Sequence, residues 1–195
     1  MSRPFHVSPA LLLLSAAAAA CAATPRCATA ATGALVRWAD VSFDPAARLA
    51  VMPVTVQSPA VFDTSAGPVF VRFDAAALGA GEVIDRAALV LVPSATARRE
   101  RCAWLRVRAV DEPWSAAAIA RGDLPSLSSD DAAEVALVPQ RVPVRVDVTT
   151  LVRALGTEGL RRRGLAVIAT EGGVVFLGSG TLSPEERPRL EVLLR

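Results

Sequence analysis

The stretch Pro68-Val69-Phe70-Val71-Arg72-Phe73-Asp74 decides the fold class. Val69, Val71 and Phe73 recur at a period of two, so they share one face of an extended chain. Arg72, lying between two of them, points away from the face they bury. The same texture recurs on both sides. It is seen in Ala34–Phe43, Leu49–Val56 (interrupted by Pro53), Glu82–Val92, Cys102–Val110, Glu134–Val138, Val142–Val148, Leu165–Ala169, Val174–Leu177 and Arg189–Leu194. Many short extended runs separated by Gly and Pro point to an antiparallel sandwich or barrel rather than a βαβ fold.

One helix interrupts the pattern near residues 149–156. Thr149 or Thr150 is placed to N-cap it, Leu151, Val152 and Leu155 share a face, and Gly156 stands at the C′ position. Asp147, just before it, can accept backbone N–H groups. A second short helical piece is expected at Ala116–Arg121, and residues 122–133 read as an exposed loop. Pro188 suits a strand start.

Composition narrows the function. The 195 residues carry 21 basic and 19 acidic groups, and this near balance argues against nucleic acid as a partner. The only histidine is His6, inside a segment that reads as an export signal. The mature chain then has no histidine for a Ser-His-Asp or Cys-His triad or for a metal site. Residues 1–20 carry Arg3 and the apolar run from Ala10 to Ala20, too short to span a bilayer. The run ends at Ala18-Ala19-Ala20-Cys21, small residues before a cysteine, which is similar to a bacterial lipobox. Cys21 is the expected lipidation site, which places the chain in the cell envelope as an outer-membrane lipoprotein. Cleavage at Ala28-Thr29-Ala30 would make it secreted or periplasmic instead. Residues 21–33 read as a tether and 34–195 as one β-sandwich domain. The remaining cysteines, Cys27 and Cys102, form an even pair in an exported chain and read as a disulfide, worth about 4 kcal/mol in the chain-entropy account.

Four stretches in order resemble the DNRLRE domain family. They are Val69-Phe70-Val71-Arg72-Phe73-Asp74 followed by Ile84 and Ala87-Ala88-Leu89-Val90-Leu91; Val107–Val110 with Trp114; Val146-Asp147-Val148-Thr149-Thr150-Leu151-Val152-Arg153; and Gly164-Leu165-Ala166-Val167 with Val175-Phe176 and Arg187-Pro188-Arg189-Leu190-Glu191-Val192. The resemblance implies an antiparallel jelly-roll β-sandwich akin to carbohydrate-binding modules, with Trp114 as a packing residue. It also implies the option of a structural calcium, for which Asp123, Asp130 and Asp131 are the nearest carboxylates.

The sites follow from chemistry. Adjacent acids such as Asp111-Glu112, Asp130-Asp131 and Glu185-Glu186 do not by spacing form the two opposed carboxyls of a glycosidase, so catalysis is not expected. Sugars stack on exposed aromatic faces while polar groups fix their orientation. Tyrosine is absent, and Trp104 shares its alternation with Arg106 and Arg108. These three form the candidate ligand-binding set, suited to an acidic polysaccharide because guanidinium groups grip carboxylates. The reading is a non-catalytic binding or adhesion module. The alternative is a structural or protein-interaction domain of the envelope with no glycan ligand.

Overall fold

The computed structural model describes residues 47–79, 81–94, 103–137, 142–181 and 183–195, the side chains of 130 and 131 excepted. Its strands are β1 Arg48–Ser58, β2 Phe62–Asp63, β3 Val69–Phe73, β4 Ile84–Leu91, β5 Ala103–Val110, β6 Leu127–Leu137, β7 Val144–Asp147, β8 Leu165–Glu171, β9 Val175–Phe176 and β10 Arg189–Leu194. Among the described residues there are also two helices, α1 (Ala116–Ala120) and α2 (Thr149–Arg162), and two 3-10 turns. Val69, Val71 and Phe73 are fully buried in the main core, as their period of two requires.

Eight strands form one curled sheet in the order β6-β5-β8-β3-β1-β10-β4-β7, antiparallel throughout. β1 bends it into two layers. Its first half, to Pro53, pairs with β10, and from Val54 it pairs with β3. Pro53 thus falls where the strand changes partner, a position where a missing N–H is tolerated. The layers are β1-β10-β4-β7 and β3-β8-β5-β6. Two four-stranded layers with connections that cross between them give the jelly-roll sandwich. Met52, Phe73, Leu89, Leu105, Val167 and Leu190 meet between them. The β2–β9 ladder closes one mouth, with Phe62 and Phe176 rings 5.4 Å apart.

α2 covers another part of the rim, burying Leu151, Val152, Leu155 and Leu160. Its start differs from the expected Thr cap. The N-cap position is Val148, without a side-chain cap. The Asp147 carboxylate accepts from the Thr149 N–H at 2.9 Å and from its hydroxyl at 2.6 Å, while Thr149 Oγ1 accepts from the Ala87 N–H at 2.9 Å. The threonine hydroxyl ties the helix to β4 instead of capping it. The expected stop at Gly156 is a break (φ 62°, ψ −175°), after which the helix resumes to Arg162.

A second correction concerns residues 122–133. Seven of the residues read as loop belong to β6, which pairs with β5 from Val110↔Leu127 to Ala103↔Leu137. A sheet-edge strand needs few apolar residues, and charge along it discourages edge-to-edge association, so its composition imitates a loop. The short helix read at Ala116–Arg121 is α1, capped by Ser115 Oγ accepting from the Ala118 N–H at 3.1 Å.

A small second core lies outside the β3-β8-β5-β6 layer. Phe70, Val110, Ala166 and Trp114 form it, with Val56, Ile119 and Leu127 packed against them. Trp114 donates Nε1–H to the Arg163 carbonyl at 2.6 Å, and its ring lies 5.8 Å from Phe70 and 4.7 Å from the Arg72 guanidinium carbon. Arg72 indeed points away from the main core, and it ends over an aromatic face.

Cys21, Cys27, Cys102, the export segment, the tether and the run Ala34–Phe43 lie outside the described residues. Among the described residues no helix is long and apolar enough to cross a membrane.

Candidate functional site

β5 sits between β6 and β8, and its alternation sorts its side chains cleanly. Leu105, Val107 and Ala109 enter the main core, while Trp104, Arg106 and Arg108 are half-buried on the outer face. The structure therefore brings the three sequence-predicted residues onto one face in one row.

Register supplies their neighbours. Trp104 lies opposite Ala136 on β6 and Glu171 on β8, and its carbonyl accepts from Thr170 Oγ1 at 3.4 Å. Arg106 lies opposite Glu134 on β6 and Ile168 on β8. Its Nε–H donates to Glu134 Oε1 at 2.6 Å. Arg108 lies opposite Ala132 and Ala166 and donates to the Ser128 carbonyl. Beyond Arg108, Trp114 and α1 cover the face. The remaining half, from Trp104 to the Arg106–Glu134 pair, is the candidate platform, flanked by Ala136, Glu171 and Ile168.

The electrostatics differ from the sequence expectation. The Glu134 carboxylate, which the residue pattern did not connect to Arg106, takes up its charge directly. Such a pair offers both donors and acceptors to a ligand's hydroxyl groups, whereas a lone guanidinium would favour a carboxylate. Trp114, the other tryptophan of this layer, is structural, since its indole N–H is already satisfied and its ring is covered.

Of the acid pairs, Glu112 and Glu185 are committed to local structure. Glu112 Oε1 accepts from the Ser126 N–H at 2.8 Å and hydroxyl at 3.1 Å. The Ser183 hydroxyl on Glu185 holds that carboxyl below its ordinary value of 4.5. The Arg48 guanidinium, then the Gly79 N–H, do the same for Glu82. Both shifts oppose the raised value that a general acid requires.

The calcium candidates are not one loop. Asp123 follows α1 and pairs with Arg121 at 3.2 Å, while residues 130 and 131 belong to β6. Among the described residues no three His, Cys, Asp or Glu side chains converge on a metal-sized space. Two clefts lie away from Trp104. One, of about 230 Å³, is between Ala132-Ala133 and Asp147–Leu151, and one of about 380 Å³ lies between Leu78–Ile84 and Arg153–Thr157. The chain matches no protein-family model, and no curated protein matches it significantly.

Proposed function

We propose that this chain is a non-catalytic binding module of the bacterial cell envelope that engages polysaccharide through the Trp104 platform. The observation that carries the reading is a half-buried tryptophan beside an ion pair on the outer face of β5. An indole face supplies stacking area for sugar C–H groups, and Arg106 with Glu134 supplies donors and acceptors for hydroxyls two residues along the strand. The jelly-roll order and the resemblance to DNRLRE domains support the same reading. Cys21 is the proposed lipid attachment point, with the domain held at the outer membrane; palmitate labelling in a bacterial host, lost in Cys21→Ser, tests it.

The binding test is a glycan array probed with the full chain, covering neutral and acidic polymers. Trp104→Ala is expected to weaken the best ligand about tenfold, the scale of one lost aromatic contact. Wild-type binding to no glycan, or undiminished binding by Trp104→Ala, overturns the reading and leaves a structural or protein-interaction domain.

A further inference from the structure

The outer face of the other layer, β1-β10-β4-β7, is unlike the platform. One half is closed by charge. Glu191 is bracketed by Arg145 at 3.2 Å and Arg189 at 2.9 Å, above buried Ala88 and Val90. The other half lies toward the start of β1 and is largely apolar, meeting the charged half where Val51 lies beside Glu191. Leu49 is 53% exposed, Val51 49% and Val83 63%. Cross-strand register sets Leu49 beside Leu193 and Leu193 beside exposed Arg86. Val83 and Arg195 exchange backbone hydrogen bonds at 3.1 and 3.0 Å, which extends the patch to the sheet end.

The charges around this patch are sorted by depth. Arg48 alternates with Leu49 and shares the core-facing side of β1 with Ala50 and Met52, where it meets Glu82 and the Ala77 carbonyl at the rim, off this face. In the Arg195–Asp85 pair the arginine side chain is 57% exposed and the carboxylate side chain 21%. That pair turns its cation outward and its anion inward, and Arg86 adds a further exposed cation beside Leu193. Exposed aliphatic side chains flanked by outward guanidinium groups match a surface of anionic headgroups over hydrocarbon.

We infer that this shoulder, Leu49, Val51 and Val83 with Arg86 and Arg195, is a docking surface for an anionic phospholipid membrane. The Trp104 platform belongs to the opposite layer, so docking here points the platform away from the lipid. The inference needs neither glycan binding nor acylation of Cys21.

The test uses unacylated full chain and hydroxyl-radical footprinting. Vesicles of equal parts phosphatidylglycerol and phosphatidylcholine are expected to protect Leu49, Val51 and Val83 from oxidation, and pure phosphatidylcholine is not. Because residues 1–46 are common to every variant, binding differences report the shoulder. Arg86→Glu changes two charges and is expected to weaken vesicle binding roughly 25-fold, with Arg86→Gln near fivefold. Arg121→Glu, on the other layer's side, should be neutral, and the glycan affinity of all three should not change. Protection that is equal on both vesicles, or absent on both, overturns the inference. Protection that grows with protein concentration without vesicles also overturns it, because the occupant is then a second copy.

Discussion

Replacing Gly164 by alanine measures how tightly α2 and β8 are held against β3. Gly164 has φ 69° and closes the helix, its N–H donating to the Gly159 carbonyl at 2.9 Å. A Cβ there would lie 1.9 Å from the Val71 carbonyl oxygen and 2.9 Å from its carbon. An ordinary carbon–oxygen approach is about 3.3 Å, so the β3–β8 ladder must open by more than about 1 Å at the Val71↔Leu165 pair. Left-handed backbone costs alanine about 1–2 kcal/mol, and forcing the packed ladder apart adds about 1–3 kcal/mol. The stiffer unfolded chain returns less than about 1 kcal/mol. The net loss is about 3 kcal/mol, which for a domain of this size lowers Tm by about 6–12 °C. Gly122 is the control, with φ 92° but nothing within 4 Å of a built Cβ. Gly122→Ala should lose only the backbone share, about 1 kcal/mol or about 2–4 °C. Urea melts with unchanged slope and shifted midpoint, run beside thermal scans, separate the two. Equal losses in both variants would show that the close approach to Val71 carries no energy, and the reasoning would fail.

Trp114→Phe keeps most of the ring but leaves the Arg163 carbonyl without its indole donor, at a cost of about 1–3 kcal/mol in urea melts. A loss under about 0.5 kcal/mol would remove Trp114 from the list of structural anchors. Glu82 gives a pH signature. Its carboxyl is held below its ordinary 4.5 in the folded state, so its contribution is complete above that value and declines as pH falls through the lowered one. Glu82→Gln should therefore flatten the fall in stability below about pH 4.5 while leaving the slope near neutrality unchanged, as read from denaturation midpoints across that range. An identical acid limb in wild type and variant refutes the assignment to the Arg48–Glu82 pair.

Much of the candidate site was visible in the chain alone. Trp104, Arg106 and Arg108 alternate with Leu105, Val107 and Ala109, and a two-residue period needs no partner to assign faces. Trp114 was expected as a packing residue only from the family resemblance, and it packs outside the β3-β8-β5-β6 layer. What remained hidden was the neighbourhood of those side chains. Glu134 meets Arg106 only because β6 pairs with β5 in one register, and nothing local to either segment names the other. The Ser- and Asp-rich start of β6 concealed the strand as well, since an edge strand is stabilised by its partner's backbone rather than by its own composition.

The amino-acid order by itself determined an all-β chain, the inward and outward faces of β3 and β5, and where both helices begin; it read Gly156 as the end of the second helix, whereas the helix resumes beyond it to Arg162. These are short-range properties, set by side-chain alternation and backbone dihedral preference. Only the tertiary structure decided that Arg106 is neutralised by Glu134, that Thr149 serves β4 rather than its own helix, and that Leu49, Leu193 and Arg86 lie side by side. Each of these joins residues far apart in the chain. Pairing between distant strands is chosen by how the whole core packs, which no local stretch encodes.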